Sequence, residues 1–168
     1  MNARSAVAVL IILGLGCGGG AEPAPETKPK AESKPAGSEG GLVAKPKREG
    51  PEPDHVLVAH VLISFQGAKT KATRSQYEAE KLAADVLAKA RKGDDFNKLM
   101  RDYSDDPGEG VYGMANFKIN PVTPEVERDG MVRSFGDVGF SLEVGEIGMA
   151  TYDAKKSPFG WHIIKRLK

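Results

Sequence analysis

The chain has a single cysteine in 168 residues, Cys17, which excludes an internal disulfide and a cysteine-rich zinc site. No apolar run reaches the roughly 18 residues of a membrane-spanning helix, which excludes a multi-pass membrane protein. An excess of one charge is also missing: 24 Lys and Arg against 23 Asp and Glu leave a net charge of +1. That balance argues against a nucleic-acid partner, because such binding draws on a strongly basic surface. Aromatic residues are absent from the first 64 positions, and all eleven lie at or beyond Phe65. Proline is crowded instead of absent there, with seven of eleven between Glu22 and Asp54. The remaining composition, 40% hydrophobic and 28% charged, is that of a globular protein. The chain therefore divides into an apolar start, a Pro-rich polar stretch and a globular remainder.

Residues 1–17 carry Arg4 and then an apolar stretch, Ala6 to Leu15, of signal-peptide length. The segment resembles a bacterial lipoprotein signal in which Cys17 is cleaved before and lipidated, although Gly14 stands where such signals usually have Leu. The alternative is an ordinary secretory signal with Cys17 removed or left as a free thiol. Either reading sends the protein out of the cytoplasm. Lipidation implies a membrane anchor in the cell envelope, and Gly18 in place of Asp favours the outer membrane. Residues 18–53 hold six basic and six acidic residues and no aromatics. Such a chain buries too little apolar surface to offset its ordering entropy, so it reads as an extended linker.

Residues 54–168 have the length of one domain. His55 to Ser64 is a β-branched, apolar run with strand character, and period 2 puts His60 on one face with Val58 and Leu62. Ser75 to Lys92 carries an apolar stripe from Ala79 to Ala90, a Ser75–Glu78 capping-box spacing and Gly93 at its end. Asp94 or Asp95 caps a second helix through Tyr103. A strand is predicted over Tyr112–Phe117, a helix over Met131–Leu142, and strands over Glu146–Tyr152 and Trp161–Leu167. The order β-αα-β-α-β-β is an α+β pattern, a small sheet covered by helices.

Five separated pieces of this domain resemble the parvulin family of peptidyl-prolyl cis-trans isomerases. They are His60-Val-Leu-Ile63, Phe96 to Asp106, Met131 to Leu142, Val144-Gly-Glu146 and Phe159 to Arg166. The resemblance implies a four-stranded antiparallel sheet surrounded by helices. It also implies that His60, Asp106 and His162 form the catalytic centre. The slot for a proline ring would be lined by Tyr112, Met131, Phe135 and Phe159, with Ser157 at a hydroxyl position. Tyr112 stands where the family often has Leu, and Lys118–Gly130 is longer and more Pro-rich than the family's turn. In the loop Gln66–Arg74, Lys69, Lys71 and Arg74 are candidate anion-binding residues, because phospho-directed members bind phosphate there; otherwise the loop is a solvated one. Without the resemblance, the histidines read as satisfied polar residues. Asp106 before Pro107 reads as a turn former, and Met131 with Phe135 as core contacts at i, i+4.

The chemistry asked of these residues is non-covalent. Prolyl isomerisation breaks no covalent bond and needs preferential stabilisation of a twisted amide. No cofactor and no metal is implied. The expected partners are proline-containing unfolded or folding polypeptides of the envelope. The rival reading is a non-catalytic chaperone or peptide-binding module on the same fold.

Overall fold

The computed structural model describes residues 50–168; the signal segment, Cys17 and most of the Pro-rich stretch lie outside the described residues. Nine residues of β1, His55–Ile63, form the central strand. Around it the sheet runs β3-β2-β1-β5-β4, with β2 Val111–Ala115, β3 Val126–Glu127, β4 Ile147–Ala150 and β5 Trp161–Arg166. The β2-β1-β5-β4 pairs are antiparallel, as the resemblance implies. The fifth strand is an addition: two-residue β3 pairs parallel with the end of β2. It comes from the Pro-rich stretch after β2, which turns back along the sheet edge and continues into a 3-10 turn, Arg128–Gly130.

The two helices on the first face form as their end signals predict. Helix α1, Gln76–Lys92, starts at a complete capping box between Ser75 and Glu78 and stops at Gly93 with φ 99°. Helix α2, Phe96–Tyr103, is capped by the Asp95 carboxylate, which accepts from the backbone N–H of Asn97 and Lys98. Both helices pack on Ala59, Val61, Ile63, Trp161 and Ile163, the alternate residues of β1 and β5.

The second face packs Val56, Val58, Met114 and Ile164 against α3, Arg133–Ser141. This helix begins two residues later than the sequence predicts, because the N–H of Met131 closes the preceding turn on Arg128 O and no side chain caps Val132. Gly139 lets the helix approach closely: a Cβ there would lie 2.9 Å from Met114 Cε. Strand β2 ends two residues early because the Asn116 side chain turns to Glu52 and Pro53. Buried Arg128 fixes the added stretch. Its guanidinium lies 4.6 Å from the rings of both Phe117 and Phe140 and bonds Asn116, Asp137 and Glu52. A buried cation persists only when so paired, and this one ties the stretch before α3 to Asp137 of that helix.

Candidate active site

Strand register assembles the centre. Leu62 of β1 lies opposite His162 of β5, and Val58 lies opposite Tyr112 of β2. His60 is therefore diagonal to both Tyr112 and His162 on one face, within reach of long side chains. The imidazoles of His60 and His162 stack with centroids 5.3 Å apart, and Nδ1 of one lies 3.2 Å from Nδ1 of the other. On its far side, His60 Nε2 is 2.8 Å from Asp106 Oδ2. Asp106 arrives on the loop after α2, where Ser104 Oγ accepts from its N–H and its own Oδ1 accepts from Gly108 N–H.

The ionisation of the chain follows from these bonds. The hydrogen bond from His60 holds the Asp106 carboxyl well below the usual carboxylate range, helped by Tyr112 and Gly108 N–H against the opposing effect of burial. Asp106 is thus an anion and His60 Nε2–H donates to it. Burial lowers His162 to about 3, so that ring is neutral. One proton must lie between the two Nδ1 atoms. Placed on His162, it makes Nδ1–H of His162 the donor to Nδ1 of His60. That choice leaves His162 Nε2 a bare lone pair, and Nε2 is buried without a partner. An orphaned acceptor costs less than an orphaned N–H, which favours this tautomer.

These groups line a cavity of about 650 Å³. Of the residues singled out in the sequence, His60, Asp106, His162, Tyr112, Met131, Phe135, Phe159, Lys69 and Lys71 all line it. Phe135 is buried and stands edge-on to both imidazoles, at 5.0 Å from His60 and 5.4 Å from His162. Two residues lie elsewhere. Ser157 is fully buried and donates its hydroxyl proton to Gly160 O at 2.9 Å, holding the turn that presents Phe159. Arg74 is tied to the Asp105 carboxylate and to Ser64 O at 2.8 Å, so it anchors the loop from below. The lysines on either side of Thr70 face the cavity in its place. Sequence reasoning missed Leu62, Thr70, Asp105, Pro107, Gly130 and Val132 as lining residues. Period 2 from His60 gives Leu62, and nothing local marks the others.

Among the described residues no group of three or more His, Cys, Asp and Glu side chains is placed to hold a metal. Chemically, the site joins an apolar slot to a fixed anion and a pair of hydrogen-bonded imidazoles.

A comparison with protein families matches residues 43–168 to the PPIC-type PPIase domain. Foldase protein PrsA of Geobacillus kaustophilus is 36% identical over 97 residues, 58% of this chain and 31% of that protein. Chaperone SurA of Pseudomonas aeruginosa is 32% identical over 114 residues, 68% of this chain and 24% of that protein. The chain thus spans less than a third of the length of either relative. The structure of peptidyl-prolyl isomerase ESS1 from Candida albicans matches with a TM-score of 0.52 at 20% identity, covering 68% of this chain and 63% of that one, a likeness of fold.

Proposed function

The chain belongs to the PPIC-type peptidyl-prolyl isomerase family, and on that premise we propose that it catalyses cis-trans exchange of Xaa-Pro bonds in exported polypeptides. The observation that carries this reading is the hydrogen-bonded Asp106–His60–His162 chain lining an apolar cavity. The planar amide is protected by a barrier of about 18–20 kcal/mol that arises from C–N double-bond character. Resonance places partial negative charge on the carbonyl oxygen, and twisting removes it. A proline ring seated among Met131, Phe135 and Phe159 directs the amide toward the Asp106 anion. The anion's field raises the planar state more than the twisted one, which lowers the barrier between them. Excluding water from the slot strengthens that field. Asp106 needs no nucleophilic role, because its Oδ2 already accepts two hydrogen bonds and no covalent intermediate is required.

Lys69 and Lys71 on the rim favour an acidic residue before the proline. The apolar Ala6–Leu15 segment ahead of Cys17 supports export and a lipid anchor on Cys17 in the cell envelope, with the outer membrane as destination. Mass spectrometry of the native protein tests the anchor: an unmodified Cys17 rules it out.

NMR exchange on Xaa-Pro peptides tests the activity. Acceleration by the wild type that falls about 100-fold in folded His60→Ala supports the isomerase. Peptide binding without acceleration leaves a chaperone-type binding module instead.

A further inference from the structure

The sequence assigns Tyr112 to the wall of the cavity, yet its hydroxyl is engaged elsewhere. It donates to Asp106 Oδ2 at 2.9 Å, the same oxygen that accepts from His60 Nε2 at 2.8 Å. We infer that Tyr112 is a positioning residue. Its phenol locks the Asp106 carboxylate against His60 while its ring bounds the proline slot, so one side chain couples the fit of the ring to the aim of the charge. This inference rests on the isomerase reading for its kinetic consequence, though not for its geometry.

Three features carry it. First, the carboxylate plane is over-determined: two donors meet Oδ2, and Gly108 N–H meets Oδ1 at 3.2 Å. Without the phenol, Oδ2 keeps only the imidazole, and the carboxylate can turn about its Cβ–Cγ bond. The bond to His60 Nε2 then loses its fixed geometry. Second, the Tyr112 ring meets His60 edge-on at 5.4 Å and Phe135 at 6.1 Å, so it cannot leave Asp106 without disturbing the slot. Third, the 106–108 turn is fitted to the hydroxyl. A Cβ at Gly108 would lie 2.8 Å from Tyr112 Oη, so a side chain at 108 displaces the phenol from Asp106. Burial and the Asp106 carboxylate push the phenol up to about 12, so it stays a proton donor at every working pH. The other ionisable groups around Asp106 are His60 on β1 and, beyond it, His162 on β5; Lys69, Lys71 and Asp105 share the cavity.

The full chain is compared as wild type, Tyr112→Phe, Gly108→Ala and the double variant. Tyr112→Phe removes the donor and keeps the ring. It is expected to lower kcat about tenfold with KM for an Xaa-Pro peptide within twofold. Gly108→Ala is expected to lower kcat in the same direction, and the double variant to match Tyr112→Phe alone, because both act through one bond. A second readout is independent of turnover. In Tyr112→Phe the Asp106 carboxyl carbon titrates at higher pH than in the wild type, and the His60 Nε2 resonance shifts. An Asp106 titration and His60 signal unchanged in folded Tyr112→Phe overturn the inference whatever the activity. Activity losses that merely track the unfolded fraction overturn it also. If the wild type does not accelerate exchange but Tyr112→Phe shifts both signals, the bond between Tyr112 and Asp106 stands and the isomerase reading falls.

Discussion

The two faces of the sheet are built from alternate residues of the same two strands, and they have opposite characters. On one face Ala59, Val61, Ile63, Trp161 and Ile163 meet α1 and α2 in an apolar layer. On the other, His60 and His162 interrupt the layer formed by Val58 and Ile164, and α3 covers only part of it. A shift of register by one residue would exchange the faces and bury the imidazoles against α1. The apolar face thus fixes where the two imidazoles stand. It supplies the stability that lets the second face keep a buried lone pair on His162 and an open cavity. Position and chemistry are separable here because they occupy opposite sides of one backbone.

The largest expected effect breaks the division from the stable side. Ile163 is fully buried among the α1 contacts, so Ile163→Ala should cost about 4 kcal/mol of unfolding free energy through lost burial and a residual cavity. Activity per folded molecule should stay at the wild-type value. Denaturant unfolding beside peptide-exchange kinetics checks both. Loss of activity in excess of the unfolded fraction would show that the faces are coupled.

The next effect probes the second face by pH. An ordinary histidine titrates at 6.5, whereas His162 is lowered to about 3 by burial. Between these values the unfolded chain binds a proton that the folded chain refuses, so stability falls as pH drops from 6.5 towards 3. The loss should be about 4 kcal/mol across that window. Asp106 adds to it only below its ordinary value of 3.8, because its carboxyl is held lower in the fold. His162→Gln should flatten the slope above pH 4 and leave the steeper fall beneath it. Chemical denaturation at stepped pH measures this, and an equal slope in both proteins would place the acid sensitivity elsewhere.

The two faces were unequally legible in the sequence. The α1 and α2 layer is local information: Ser75, Glu78, Gly93 and Asp95 mark helix ends within a few residues of where they act. Period 2 separated His60 from Val61 and His162 from Trp161 without any knowledge of partners. What the residues alone withheld is long-range. Nothing near Tyr112 says that its hydroxyl reaches Asp106, and nothing near Arg74 says that Asp105, 31 positions away, will claim it. Ser157 shows the same limit: its hydroxyl closes a turn on Gly160, whose φ of 135° and close approach to Ile63 O leave no room for a Cβ. The short strand β3 was hidden for a different reason. Two exposed residues have no periodicity to read, and their pairing depends on buried Arg128 holding the stretch to α3.

The smallest effect sharpens the contrast at the rim, where basic residues three and five positions apart do different work. Arg74 and Asp105 are partly buried and bond each other, so Arg74 contributes to holding the loop. Lys69 and Lys71 are exposed and line the cavity. Exposed charges act weakly and through screened solvent, so their influence on a substrate carboxylate is about 1 kcal/mol at low salt. A Glu-Pro peptide should therefore be turned over several-fold faster than a Lys-Pro peptide at low ionic strength, and the preference should fade by about 0.5 M salt, where the Debye length is only a few ångströms. Lys69→Ala with Lys71→Ala should abolish the preference and leave an Ala-Pro peptide unaffected. Arg74→Ala should do the reverse, loosening the Ser64–Asp105 end of the loop and lowering the rate on every peptide alike. If Arg74→Ala instead removed the Glu-Pro preference alone, the guanidinium would be reaching substrate, and the ion pair with Asp105 would have to open when peptide binds.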